Sequence, residues 1–294
     1  HDACVYGCKH YCLRNRLCTH ETNDARRIDI KPHRHYHSFS AGACTEVLRR
    51  KGIPTNRKKP PFTFALKTNM TPLAERMRPV SLEDFFGQEH LTGPRGVIRK
   101  LIQGGRLPSL IFWGPPGTGK TTLARIIASQ TGSAFFQLSA ISSGVKDVRE
   151  VIANAEKEKA SILFIDEIHR FSKSQQDSLL GAVERGIITL IGATTENPSF
   201  EVIQALLSRC QVYLLNSLSK NDLQAIMENA LEKDEWLRSK KITVQETEAL
   251  FRLSGGDARK LLNLLELIIT SASTDEIIIS DEVVLQAAHR KLAL

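Results

Sequence analysis

The octapeptide GPPGTGKT, Gly114 to Thr121, matches the spacing G-x-x-x-x-G-K-[ST]. An apolar run of strand length, SLIFWG, precedes it, and TTLARIIASQ follows with helical periodicity, placing Leu123, Ile126 and Ile127 on one face. A strand–loop–helix of this kind turns backbone N–H groups inward around phosphate oxygens, and the start of the helix adds favourable partial charge. The reading assigns Gly114, Pro115, Pro116, Gly117, Thr118, Gly119, Lys120, Thr121 and Thr122 to phosphate binding. Lys120 is expected to neutralise the β- and γ-phosphates, and Thr121 to hold Mg²⁺. A second acidic feature follows in SILFIDEIHRF, where two carboxylates close a short apolar strand, the place at which a sheet presents side chains to ligands. Asp166 is expected to bind Mg²⁺, directly or through water. Glu167 is expected to act as the base that polarises an attacking water.

The elements that position these residues alternate. After the first strand and its helix come AFFQLSA (strand), VKDVREVIANAEKEK (helix), SILFID (strand), KSQQDSLLGAVERG (helix stopping at Gly186) and IITLIGATT (strand). This alternation predicts a parallel sheet covered on both faces. Pro72–Gln103 reads as a loop followed by a helix, punctuated by Gly93, Pro94 and Gly96. After Leu215 no further strand is expected. SKNDLQAIMENALEKDEWL, TVQETEALFRLSGG, DARKLLNLLELIITSA and SDEVVLQAAHRKLA read as four helices of a small bundle. The expected organisation is a leader at 1–69, an α/β nucleotide-binding core at 70–215 and an all-α lid at 216–294.

The formal charge of +8 points to a nucleic-acid partner only until it is located. Residues 1–66 hold 13 Lys and Arg against 5 Asp and Glu, whereas the remainder holds 27 of each and is neutral. Binding of DNA by the body must therefore rest on local placement of cations. The leader also holds Cys4, Cys8, Cys12, Cys18 and Cys44. Cys4 and Cys8 are spaced as one half of a zinc site, but no clean second pair follows, so the leader is read as a disordered or adventitious extension. Met70 is a plausible natural start. No apolar run is long enough to span a bilayer.

A phosphate loop, a strand ending in Asp-Glu and a trailing helical lid resemble the AAA+ ATPases. PLAERMRPVSLEDFFGQEHL, SGVKDVREVI, LFIDEIHRFSKSQQDSLLGAVE, IGATTENPSFEVIQALLSRC and GDARKLLNLLE, lying in this order between Pro72 and Lys291, resemble more narrowly the RarA (MgsA) family. Its eukaryotic members are the Werner helicase-interacting proteins, and it is related to clamp loaders and to the Holliday-junction motor RuvB. The resemblance implies an ATP-hydrolysing, homo-oligomeric protein that acts on DNA ends, gaps and forks in replication, repair and recombination, with replication or repair proteins as partners. Its location would be cytoplasmic and nucleoid-associated in a bacterium, nuclear in a eukaryote. The resemblance further implies that Arg78, Pro79, Gly87 and Gln88 lie over the adenine base. It makes Thr195 (with Thr194 as its neighbouring alternative) a first sensor of the γ-phosphate, Arg259 a second sensor reaching from the lid, and Arg209 an arginine finger that serves the adjacent subunit.

DNA contacts are expected, by the same resemblance, near Lys146, Arg149, Arg170, Lys173, Gln175 and Gln176, on helices that line the channel of related rings; such contacts would be independent of base sequence. Family members continue into a helical C-terminal domain that assembles the oligomer, and the sequence stops at Leu294 before one. Two other functions compete. A AAA+ remodeller of protein substrates would carry an aromatic residue in its pore loop, which ISSGVKD lacks. A nucleotide-dependent scaffold would not need Glu167.

Overall fold

The computed structural model describes residues 71–292, apart from 106, 141, 142 and 273–275. The basic leader and its cysteines lie outside the described residues. Five strands form one parallel sheet: β1 (Ser109–Trp113), β2 (Ala134–Ser139), β3 (Ser161–Asp166), β4 (Thr189–Thr194) and β5 (Cys210–Leu214), in the order β2-β3-β4-β1-β5. Alternate residues of the central strands feed separate cores. Leu110, Phe112, Ile162, Phe164, Ile191 and Ala193 pack beneath the Lys120–Thr131 helix. Ile111, Leu163, Ile165 and Leu190 pack on the other side with Val148, Leu179 and Leu206. With both faces covered, these strands read as unbroken apolar runs rather than alternating ones.

The helix starts and stops follow local chemistry. Ser172 and Gln175 form a capping box at Lys173–Glu184, and Ser219 and Asp222 form another at Lys220–Lys233. The helix Lys173–Glu184 ends just before Gly186, whose φ of +69° suits the expected stop. A third apolar cluster joins Leu223, Leu250, Leu261, Leu265, Ile268 and Val284 from the helices that follow Leu215, and Leu73 from the first described helix belongs to it.

Several elements differ from expectation. β5 is an additional strand that pairs with β1 at the sheet edge, from Ser109↔Cys210 to Trp113↔Leu214. The helical region also contains a two-stranded parallel ladder, β6 (Lys241–Val244) with β7 (Glu276–Ile279). Thr243 and Val244, expected in a helix, lie in that ladder, and the following helix begins at Glu248. The segment before β1 folds as three short helices, Leu73–Arg76, Glu89–Thr92 and Val97–Gln103, rather than as a loop and one helix. The long helix expected from Lys220 onward breaks at Asp234, whose carboxylate accepts the Leu237 N–H and starts a new turn.

Candidate nucleotide site

Parallel strands place their C-terminal ends on one edge, so the loops after β1, β3 and β4 converge there. The loop after β1 opens the Lys120–Thr131 helix. Gly117 and Gly119 take φ of +71° and +95°, which L side chains rarely adopt. They also have no room: a Cβ on Gly117 would fall 1.8 Å from Asp257 Oδ1, and one on Gly119 would fall 2.6 Å from the Phe85 ring. The glycines thus let two other parts of the chain close on the loop. Asp257 caps the Ala258–Ser271 helix through the Lys260 N–H at 3.0 Å, and the Ala258 N–H donates to the Gly117 carbonyl at 3.3 Å.

Lys120 is 7% exposed, and its Nζ donates to the carbonyls of Gly114 and Pro115, each at 2.7 Å. Burial pulls its ammonium below the ordinary lysine value, while Glu167 and Asp166 act in the other direction. Thr118 is buried and donates to the Pro115 carbonyl at 3.0 Å, bracing the turn.

Pro116 to Thr122, Asp166, Glu167, Arg78, Pro79 and Arg259 line one cavity. Asp166 is the last residue of β3. Glu167 follows it at φ +54°, a left-handed conformation that costs a non-glycine residue on the order of 1 kcal/mol. This bend lets the next three residues, Ile168–Arg170, form a 3₁₀ turn. Arg259 lies in the first turn of Ala258–Ser271 and is exposed. Arg78 is held by an ion pair with Glu75. The remaining wall includes Met77, Phe85, Phe86, Leu218, Ile226 and Leu262, which the sequence reading did not single out. They make an apolar slot beside a phosphate cradle, the shape a base and its phosphates require. The aromatic pair preceding Gly87 was the available sequence signal for it.

Other expected residues lie elsewhere. Gly87 and Gln88 do not line this cavity. Gln88 is buried, and its side-chain amide donates to the Asn216 carbonyl and accepts the Asn216 N–H, at 2.7 and 2.9 Å, tying the segment to the chain beyond β5. A Cβ on Gly87 would meet Leu218 at 2.8 Å. Thr194 is fully buried; its carbonyl accepts the Gly114 N–H at 3.1 Å and its hydroxyl bonds with Glu196 and His169. Thr195 is exposed, with Oγ1 at 3.4 Å from Glu167 Oε2.

Arg209 stands at the far end of the sheet. It immediately precedes β5, whose first residue pairs with Ser109, whereas the phosphate loop begins after Trp113. Four strand steps, roughly 13 Å, separate the two ends. The guanidinium bonds instead to the Ala205 carbonyl, Ser208 Oγ and the Glu184 carboxylate.

Of the residues expected to meet DNA, Lys146, Arg149, Arg170 and Lys173 are exposed. Gln176 is not a surface residue: it is 1% exposed, donates to the carbonyls of Phe171 and Glu201, and accepts the Ile203 N–H. Its expected role as a DNA contact is withdrawn, because every polar atom of its amide is committed inside the fold. Gln175 spans to the Ser143 carbonyl at 2.8 Å.

The profile of the ATPase family associated with various cellular activities matches residues 110–218, a span that runs from β1 past β5. The chain is 52% identical over 202 residues to the replication-associated recombination protein A of Coxiella burnetii, covering 67% of this chain and 46% of that protein. It is 47% identical over 216 residues to the ATPase WRNIP1 of Dictyostelium discoideum, covering 71% of this chain and 25% of that one. The chain therefore spans about half the length of the first relative, and less of the second. Among solved structures, the RuvB Holliday junction branch migration motor of Thermotoga maritima superposes with a TM-score of 0.60 at 28% identity, over 73% of this chain and 72% of that one. Sequence, sheet and phosphate loop agree, and the chain belongs to the RarA (MgsA)/Werner helicase-interacting family of AAA+ ATPases.

Proposed function

We propose that the protein hydrolyses ATP as an oligomeric AAA+ motor or remodeller of DNA in replication-fork maintenance, repair and recombination. The observation that carries this reading is the separation of two arginines. Arg259 borders the cavity that also holds Lys120, Asp166 and Glu167, whereas Arg209 lies at the opposite end of the sheet, out of reach of that cavity. An arginine so placed can meet a triphosphate only in a neighbouring copy, so the reading requires assembly.

In this proposal Gly117 and Gly119 open the backbone around the phosphates, and Lys120 and Arg259 balance their charge. Thr121 and Asp166 fit an oxygen-liganded divalent cation; Mg²⁺ held there would neutralise charge on the phosphate oxygens. Glu167 accepts the proton of the attacking water. Thr195, just past the end of β4 and beside that carboxylate, senses the γ-phosphate of its own subunit. Arg209 from one subunit stabilises transition-state charge in the next. The DNA-facing part of the reading rests on four exposed cations. Lys146 and Arg149 lie in the first turns of Val145–Ala155, Lys173 begins the helix after the 3₁₀ turn carrying Arg170, and the Gln175–Ser143 bond ties the two helix starts together. Contacts from such a cluster to backbone phosphates would weaken steeply with salt.

The test is ATP turnover with and without gapped or forked DNA at low salt, using wild type and mixtures of Arg209→Ala with Lys120→Ala subunits. DNA stimulation is expected, as is partial recovery in the mixtures, where one subunit supplies the finger and the other the phosphate loop. Rings shown to be mixed but without recovered turnover would remove the trans role of Arg209. Absence of DNA stimulation would remove the DNA motor.

A further inference from the structure

His169 is a buried imidazole that the nucleotide-binding roles above do not use. Its side chain is 7% exposed and sits between three polar groups. Nδ1 lies 3.0 Å from Thr194 Oγ1 and 3.3 Å from Glu167 Oε2, and Nε2 lies 3.5 Å from Glu196 Oε1. The 3₁₀ turn after Glu167 brings the ring back over the carboxylate two residues earlier.

The demand for a proton is stronger at Nδ1, with acceptors at 3.0 and 3.3 Å, than at Nε2, with one carboxylate oxygen at 3.5 Å. The Thr194 hydroxyl donates to the Glu196 carbonyl at 3.1 Å and accepts the Glu196 N–H at 3.0 Å. Its hydrogen is therefore spent, and toward the imidazole it offers a lone pair. Glu167, when ionised, is an acceptor only. A bare Nδ1 lone pair would face two acceptors at about 3 Å, one of them anionic; a protonated Nδ1 satisfies both. Thr195 Oγ1 approaches the same Oε2 at 3.4 Å. One carboxylate oxygen of Glu167 is thus engaged by two donors, and Oε1 has no protein partner among the described residues.

We propose that His169 is a positioning residue for Glu167: its Nδ1–H, anchored on the buried Thr194 hydroxyl, holds Oε2 so that Oε1 remains the basic atom presented to water. Because Thr194 also accepts the Gly114 N–H through its carbonyl, the imidazole ties the orientation of the base to the start of the phosphate loop. A single strained residue, left-handed at its own backbone, is thereby held in one orientation by β4.

The inference rests on Glu167 as the base, and the experiment separates the two claims. His169→Ala removes the donor. His169→Asn keeps an N–H near the position of Nδ1. For His169→Ala, kcat for ATP is expected to fall about 10- to 100-fold, the scale of one charge-assisted hydrogen bond, with KM and nucleotide affinity within about twofold of wild type. For His169→Asn, most of kcat should return. Equal losses in both variants, unchanged kcat in His169→Ala, or a loss confined to nucleotide binding would each overturn the proposal. Glu167→Gln is the control: normal turnover there would remove the base assignment itself, whereas loss there beside normal turnover in His169→Ala would remove the positioning role alone. Nitrogen-15 spectra of the wild-type imidazoles, with His169 assigned by its absence in His169→Asn, give a test that no variant's activity can confound. A protonated Nδ1 supports the proposal, and a proton on Nε2 alone overturns it.

Discussion

Gly117→Ala tests whether the helical region is seated on the phosphate loop through Asp257. The alanine methyl would fall 1.8 Å from Asp257 Oδ1 and 2.1 Å from Cγ, so the carboxylate must leave. A non-glycine residue at φ +71° costs about 1–2 kcal/mol. Displacing Asp257 forfeits its cap on the Lys260 N–H, about 1 kcal/mol more. The sum is about 2–3 kcal/mol, or a fall in Tm of about 5–10 °C for a domain of this size. Asp257→Ala alone should cost about 1 kcal/mol, the cap only. The double variant is the decisive one. All three nearest atoms to the new methyl belong to the Asp257 carboxylate, so once it is gone the clash is gone and the cap cannot be lost twice. Its cost should stay near that of Gly117→Ala, about 1 kcal/mol short of the sum of the single variants. Urea unfolding followed by circular dichroism measures all four proteins. Additivity within about 0.5 kcal/mol, the behaviour of independent sites, would refute the contact between loop and helix start.

Two further predictions concern residues whose roles the fold reassigns or exposes. Gln176→Ala should cost about 3 kcal/mol in urea unfolding, since it strands the Ile203 N–H and two carbonyls, yet leave DNA affinity of the folded protein unchanged; a DNA defect at full stability would restore it to the DNA surface. Burial pushes the Asp234 carboxyl up, but its bonds to Arg76 and to the Leu237 N–H outweigh this and leave it below its ordinary value. The stability it contributes is therefore present above the unfolded carboxylate value of about 3.9 and lost as pH falls through the lower folded value. Urea midpoints taken between about pH 5 and pH 2 should show this loss in wild type and a shallower fall in Asp234→Asn; identical pH profiles would contradict it.

The central strands were legible because both of their faces are buried: LIF, ILFI and LIGA need no knowledge of their partners to read as strands. β5 was not, because it is an edge strand. Val212 and Leu214 are 43% and 47% exposed, and Gln211 confines the apolar part of CQVYL to its last three residues. β6 and β7 are four residues each and pair across about thirty intervening residues that include two helices, a contact no local period encodes. The phosphate cradle was legible for a different reason. In the proposed function its glycines and lysine answer to a phosphate ligand, whereas the apolar wall of Met77, Ile226 and Leu262 is dictated by tertiary packing. Gln176 shows the converse limit. A glutamine on a helix looks solvated until the backbone groups that consume it, at Phe171, Glu201 and Ile203, are brought alongside. His169 escaped for the same reason, since its partners Thr194 and Glu196 come from the next strand and the turn after it.

The helix Lys173–Glu184 connects the two ends of the proposed mechanism. Its first residue lies four positions after His169, and its last, Glu184, pairs with Arg209. Twelve residues span roughly 18 Å, comparable to the length of the sheet it lies along. In between, Gln176 clips it to the segment that leads to Arg209. The pair Glu184–Arg209 is half exposed, so it contributes at most about 1 kcal/mol to stability. This weakness allows a charge swap. Glu184→Arg combined with Arg209→Glu preserves an opposite-charge pair at the same place, and the unfolding midpoint should stay close to that of wild type. If Arg209 served only as a partner for Glu184, ATP turnover would also be preserved. If its guanidinium is needed by a neighbouring triphosphate, the swapped protein should bind nucleotide normally and turn over as poorly as Arg209→Ala, because a carboxylate now faces the phosphate and the relocated arginine is anchored on a different helix. Turnover restored by the swap would remove Arg209 from catalysis.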